Sequence, residues 1–303
     1  MSVSALLLAL AAQQIVIPLG KRSAAERLPA PIATAGPAFA RACKDSDRWD
    51  APAPPVRLHG NTYHVGTCGI SVILITGKEG HVLIDSGTVV GADLVAANIR
   101  RLGFKLSDVR WITHSHEHHD HVGGLARLQE LTGASIAASV PAASVLRTGI
   151  APADDPQSGL LEKMAPVPVA RTIRNGDKLR LGAIQLTATA TPGHTAGALS
   201  WSWVSCDGGV CRNFVFADSL SPVSRDGYRF TDQPALVAAF RASFAKVAAL
   251  DCDILLTPHP SASGLRRRLA AGEPLLDPAA CRNYAAARSA ALEERLAKEA
   301  AAR

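Results

Sequence analysis

The chain has 303 residues, 48% hydrophobic and 19% charged, with a net charge of +6. That suits a globular protein with a large core, of one or two domains by length alone, and with aromatics at only 5% the core volume must come mostly from Leu, Val, Ile and Ala. Basic runs such as Arg266–Arg268 read as a solvated helix face; they lack interleaved aromatics and no common nucleic-acid motif is visible, so no nucleic-acid partner is expected.

In chain order, the apolar run "VSALLLALAAQQIVIPL" (Val3–Leu19) comes first, with Lys21–Arg22 behind it. Gln13–Gln14 interrupt the run, and it is short for a spanning helix. A secretory signal normally carries its positive charge ahead of the apolar run, whereas here only the amino terminus precedes it. A small-residue site, Ala38–Phe39–Ala40, follows. Residues 1–40 are read as an export segment and spacer that is removed, in preference to a retained anchor or a misassigned start. Residues 41–303 then form one domain, expected in the periplasm without stable membrane association. Nothing demands more than a monomer.

"HVLIDSG" (His81–Gly87) reads as an apolar strand ending at an aspartate, and "GADLVAANIRRLG" (Gly91–Gly103) as a helix with a glycine stop. "VRWIT" (Val109–Thr113) is the next strand. A histidine-rich loop follows it, and "GGLARLQELTG" opens another helix. Such alternation predicts a sheet layered with helices, in which ligands gather at the carboxyl ends of strands. The second half repeats the plan. Asn175–Gly176 predicts a hairpin turn between strand-like runs. "ALSWSWVS" and "RNFVFADS" flank a cysteine hairpin, Ala235–Leu250 is a helix, Asp253–Pro258 a strand, and the stretch from Cys281 a long polar-faced helix. The fold class is therefore α/β, with two sheets face to face between outer helices.

The six cysteines are Cys43, Cys68, Cys206, Cys211, Cys252 and Cys281, and no two form a CxxC pair. An even count behind an export-like start points to disulfides rather than to a thiolate zinc site. "CDGGVC" sets Cys206 and Cys211 opposite each other. Fifteen pairings are open; the expectation adopted is 43–68, 206–211 and 252–281, against six buried, reduced thiols.

"THSHEHHDHVGG" (Thr113–Gly124) holds five of the chain's ten histidines. Within it lies His116-x-His118-x-Asp120-His121, imidazoles and a carboxylate of the kind zinc accepts. Alternate residues of an extended chain share a side, so His116 and His118 can address one ion. Asp120 and His121 can reach a second. His194, in "TPGHTAG", and His259, in "TPHPSASG", follow later strands and complete two sets: His116, His118, His194 and Asp120, His121, His259. Three ligands per ion leave an open position, the mark of a catalytic site. Histidine-rich surface loops are the competing reading.

With these residues in view, the sequence resembles the metallo-β-lactamase fold hydrolases, and more closely the class B, subclass 3 metallo-β-lactamases. The resemblance rests on HxHxDH, "GNTYHVGTCGIS" (Gly60–Ser71), "TPGHTAG", "FADSLS" (Phe216–Ser221), "CDILLTPHPSASG" and Cys281, and includes enzymes with three disulfides. It implies a four-layered αβ/βα sandwich with two Zn2+ at one sheet edge. It further implies hydrolysis of the β-lactam amide of penicillins, cephalosporins and carbapenems, and hence resistance, by water activated at zinc and oriented by Asp120. Asp85 matches an aspartate that supports the ligands. Ser219 and Ser221 match positions that bind the substrate carboxylate; Gln157, in "PADDPQSG", is a candidate to reach a substrate over the site, against the competing and favoured reading of a solvated loop residue. His114 and His119 are read as non-ligands. The rival is a thioesterase or lactonase of the same fold, in which Asp218 would bridge the metals. A metal-dependent binding protein without turnover is disfavoured by the complete ligand set.

Overall fold

The structure, a computed structural model, describes residues 32–44 and 46–302. The apolar run Val3–Leu19 lies outside the described residues. Seven strands form the first sheet in chain order: β1 (Val56–His59), β2 (Thr62–His64), β3 (Ile73–Gly77), β4 (Gly80–Ile84), β5 (Val109–Thr113), β6 (Ser135–Ser139) and β7 (Val169–Ile173). Its first four strands are antiparallel neighbours, and β4 to β7 run parallel. Parallel neighbours need crossovers, which the helices α2 (Gly91–Arg101), α4 (Leu125–Thr132) and α5 (Val140–Thr148) supply, with the short α3 (His119–Val122) ahead of α4. The second sheet has the order β12-β11-β10-β9-β8. Its strands are β8 (Lys178–Leu181), β9 (Ile184–Ala190), β10 (Leu199–Asp207), β11 (Val210–Phe216) and β12 (Ile254–Leu256). The remaining helices are α1 (Ile32–Ala42), α6 (Pro234–Ala248), α7 (Leu265–Ala271) and α8 (Ala280–Ala301).

Strand periodicity sorts the core into three layers. Ile73 and Ile75 of β3 and Val82 and Ile84 of β4 turn inward, where Trp201, Trp203, Phe214 and Phe216 of the other sheet meet them. Leu74 and Leu83, one residue out of phase, turn outward beneath α2, α4 and α5. On the far side, Val215 and Leu255 pack under α6 and α8. Strands buried on both faces read as continuous apolar runs, and all five residues of β4 are buried. The result is the expected α/β architecture of two sheets between helices.

Two expectations are corrected. The Asn175–Gly176 turn does not close a hairpin. Asp177 N–H donates to Arg174 O at 3.0 Å to form the turn, but Gly176 N–H donates to Ala188 O of β9 at 2.8 Å. The β7 strand stays paired with β6, so the turn carries the chain from one sheet to the other. The hairpin is β8–β9, turning at Gly182–Ala183. The second correction is the boundary at residue 40. Ala38–Phe39–Ala40 lie inside α1, and Phe39 is fully buried between the sheets beside Leu265 and Leu269 of α7. A cut after Ala40 would strip Phe39 from the core, so the folded domain includes residues before 41.

Chain direction gathers the ends that matter. In the first sheet β4 and β5 run the same way. In the second, β9 and β11 both run antiparallel to β10, and β12 runs parallel to β11. The segments leaving β4, β5, β9, β11 and β12 carry Asp85, His114–His121, His194, Asp218–Ser221 and His259, respectively. All five expected ligand-bearing or supporting segments are therefore strand exits.

Candidate metal centre

His116, His118 and His194 are buried and bring one ligand atom each within 4.8 Å of one another. Their ring centroids lie 4.6–5.0 Å apart. His116, Asp120 and His121 form a second such group. His259 joins that side: its Nε2 is 3.3 Å from His121 Nε2 and 3.5 Å from Asp120 Oδ2, and His121 Nε2 is 3.0 Å from the same oxygen.

Four of these five imidazoles have their other nitrogen hydrogen-bonded, and that of His121 faces a carboxylate at ion-pair distance. His116 Nδ1 meets Asp218 Oδ1 at 2.9 Å, His118 Nε2 meets Asp155 Oδ2 at 3.1 Å, and His121 Nδ1 faces Asp85 Oδ2 at 3.3 Å. His194 Nδ1 and His259 Nδ1 meet the carbonyls of Ser221 and Gly69 at 2.9 and 3.1 Å. Outward partners of this kind fix ring orientation and tautomer and raise the basicity of the inward nitrogen. Nε2 of His116, Nδ1 of His118 and Nε2 of His194 are left facing one another and could hold an ion. Nε2 of His121 and of His259 are left facing Asp120 Oδ2. Neutral imidazoles plus one carboxylate suit zinc, so the residues present fit the metal.

Local backbone explains how the ligands reach their places. His118 is extended and caps α3, so Asp120 and His121 turn away from it within one helical turn. Gly193 has φ 152, and a Cβ there would lie 2.6 Å from the Phe240 ring. Only glycine allows the chain to pass Phe240 and present His194. Glu117, buried between the ligands, takes hydrogen bonds from Thr195 Oγ1 at 2.7 Å and Gly197 N at 2.8 Å. It ties the loop after β9 to the loop after β5.

The two sides differ electrically. Burial and the surrounding imidazoles hold His116 well below its ordinary pKa. Burial and His118 hold His194 down to about 3, and burial and His121 hold His259 to about 4. For His121 burial works against the charge, but Asp120 and Asp85 outweigh it and lift its pKa to about 10. Burial likewise pushes Asp120 up, yet His121, His259 and His118 hold its carboxyl well below the carboxylate range. Burial raises Asp218 to about 8.

A cavity of about 410 Å³ opens over the ligands. Trp49, Leu160, Leu161 and Val223 form its apolar wall, and Gln157, Ser219 and Ser221 line it with polar groups. Ser219 Oγ is buried and has no partner. Gln157 Nε2 stands 3.4 Å from His118 Nδ1. His119 lies at the cavity with its ring 5.6 Å from that of Trp49. His114 points elsewhere, its Nε2 accepting from Ser139 N at 3.0 Å. A second cavity, of about 420 Å³ around Ser202 and Asn213, has no histidine in its lining.

The six cysteines form three disulfides, Cys43–Cys68, Cys206–Cys211 and Cys252–Cys281, and no free cysteine remains among the described residues. Sequence reasoning missed Asp155, Trp49 and Glu117. Asp155 lies two residues from Gln157 in the same loop, which was a usable signal; nothing local marks Trp49.

The family model of the metallo-beta-lactamase superfamily matches residues 65–259. The chain belongs to the metallo-beta-lactamase superfamily. Within it, the chain is similar to the solved structure of the MIM-2 metallo-beta-lactamase, with 54% identity, a TM-score of 0.84, and coverage of 88% of this chain and 98% of that one. It is also similar to MEM-A1, a subclass B3 metallo-beta-lactamase from a soil metagenome library, with 43% identity, a TM-score of 0.80, and coverage of 84% and 100%. Among curated relatives, a hydroxyacylglutathione hydrolase of Cereibacter sphaeroides is 28% identical over 142 residues, 47% of this chain and 44% of that protein. The chain spans about half the length of the curated relatives it matches.

Proposed function

We propose that this chain is a di-zinc β-lactamase of the subclass B3 kind. It opens the β-lactam amide of penicillins, cephalosporins and carbapenems and thereby confers resistance. The observation that carries the reading is the paired donor groups under one cavity, His116, His118, His194 and Asp120, His121 with His259 beside them, four of the histidines hydrogen-bonded from behind and His121 facing Asp85. Zinc held there acts as a Lewis acid and brings the ionisation of water to about pH 7.

The chain's own residues do the rest. Asp120 Oδ2, already beside His121 and His259, accepts a hydrogen bond from the attacking water and so orients it. Ser219 Oγ, free of protein partners, donates to the substrate carboxylate together with Ser221. Gln157 closes over the substrate from the loop above His118. Trp49, Leu160 and Val223 exclude water from the apolar side of the ring system. No side chain serves as a covalent nucleophile.

The likeness to a hydroxyacylglutathione hydrolase raises the rival thioesterase or lactonase reading. Asp218 speaks against it. Its Oδ1 faces the outward nitrogen of His116 and its Oδ2 accepts from Leu220 N at 3.2 Å, so it stands behind a ligand rather than between two ions. Three disulfides favour an oxidising compartment, in accord with export to the periplasm and action there as a monomer. Among the described residues no helix is long and apolar enough to cross a membrane.

The test is purified protein on nitrocefin and a carbapenem, with and without a chelator. Zinc-dependent hydrolysis of both is expected, unaffected by clavulanate. Turnover of a thioester or lactone but neither β-lactam would replace this reading with its rival.

A further inference from the structure

The last helix supports the turn that carries Ser219 and Ser221. Tyr284 Oη donates to the carbonyls of Asp218 and Ser219 at 2.9 and 2.6 Å. One turn further along α8, the Arg288 guanidinium lies over the Tyr284 ring, 5.0 Å from its centroid, and donates from Nη1 to Ser221 Oγ at 3.1 Å. The disulfide Cys252–Cys281 ties the start of α8 to the segment entering β12. Cys281, Tyr284 and Arg288 share one face by helical spacing, so the fold fixes where the guanidinium sits.

Arg288 carries more than this support needs. It is half-buried, its Nε is buried without a partner, and no carboxylate among the described residues pairs with it. A partly desolvated charge without a counter-ion is costly, and a neutral side chain would brace the turn as well. The group it addresses is a cavity-lining serine. Ser221 O takes the His194 Nδ1 hydrogen bond at 2.9 Å, and its hydroxyl donates to Ser219 O at 3.1 Å. Ser219 and Ser221 are neutral donors, so by themselves they give a carboxylate no counter-charge.

We propose that Arg288 is a positioning residue for an anionic substrate group. It occupies a lone pair of Ser221 Oγ and keeps that hydroxyl a donor. The hydroxyl proton then turns from Ser219 O to a carboxylate in the cavity, and the guanidinium supplies positive charge behind the contact. This rests on the proposed β-lactamase activity and adds the cation of its carboxylate subsite.

The test compares nitrocefin with its methyl ester on zinc-loaded full chain. Arg288→Gln keeps an N–H for Ser221 Oγ but removes the charge. It is expected to lower kcat/KM for the acid about tenfold, mostly through KM, and to leave the ester unchanged. Arg288→Lys should keep most of the preference for the acid, and zinc content should stay that of the wild type. Arg288→Met, which still packs on Tyr284, should behave as Gln does and stands in if the Gln variant fails to fold. Equal losses on acid and ester, loss of zinc, or no change in the ratio would each overturn the inference while leaving the activity intact. No turnover of nitrocefin or a carbapenem by wild type would overturn the activity reading, and this inference with it.

Discussion

The two proposed ligand sets share a cavity but are built on opposite electrical plans. His116 and His194 are kept neutral by burial first and by neighbouring imidazoles second. Those two imidazoles are ready to accept a cation without shedding protons. In the other set, Asp120 and His121 neutralise each other as an ion pair at 3.0 Å, and His259 is a third exposed. A metal must displace the His121 proton to enter there. One set is preorganised by desolvation, the other holds a proton in the metal's place, and ligand count alone hides that difference.

Removing a ligand tests the division most severely. His194→Ala should deplete zinc at the first set and abolish turnover. The loss should exceed the ~10–100-fold that a supporting partner is worth. His259→Ala should deplete the second set in the same way. Metal analysis checks both, and two zincs retained in His259→Ala would sink the assignment of the second set.

Support from behind comes next. Asp218→Ala removes the partner of His116 Nδ1. Competition with a chromophoric chelator should show affinity at the first set falling by about 10–100-fold with the second unchanged. Loss of both zincs would mean that Asp218 bridges the ions, as the rival hydrolases require.

Proton release distinguishes the sets without mutation. His121 sits at about 10 in the metal-free protein, so between pH 8 and 6 zinc must expel its proton. Affinity at the second set should fall about tenfold for each unit the pH drops, while the first set loses less. Linkage gives the matching sign for stability. Because its folded pKa is raised, His121 stabilises the metal-free fold at pH 6, and that contribution fades as pH climbs toward 10. Equal pH slopes at the two sets would erase the contrast.

The smallest effect belongs to a residue in neither set. Ser219→Ala should keep both zincs and its melting temperature, since Ser219 Oγ has no partner to lose. Only β-lactam kinetics should change, by about 1.5 kcal/mol, close to tenfold, mostly in KM. Zinc loss in this variant would place Ser219 on a metal.

Local pattern carried much of this in the sequence. "VRWIT" coincides with β5, and "CDGGVC" with the turn joining β10 and β11, because alternation and turn chemistry are properties of neighbours. The segments that carry the clustered histidines were visible for the same reason: each follows a strand. What stands behind the ligands was less legible. Asp155 is 37 residues from His118, Asp218 is 102 from His116, and Arg288 is 67 from Ser221. Such pairs exist only once the sheets have packed. Asn175–Gly176 misled because a turn signal specifies a reversal, not which sheet receives the next strand. The boundary at residue 40 misled because Ala38–Phe39–Ala40 reads as small-residue spacer until α7 is seen to cover it.

Asp85 sits at φ 66, one of only two non-glycine residues with positive φ among those described. Its carboxylate takes Ser115 N and Ser115 Oγ and faces His121. Left-handed backbone admits Gly, Asn and Asp with little strain. Glycine would drop the carboxylate. Asparagine would turn an NH2 toward one of the donors Asp85 now receives. Glutamate would keep the charge but meet the strain, one carbon too long. Position 85 is thus closed to drift from both directions at once: mutations the backbone tolerates spoil the support of His121, and those that keep the charge strain the chain.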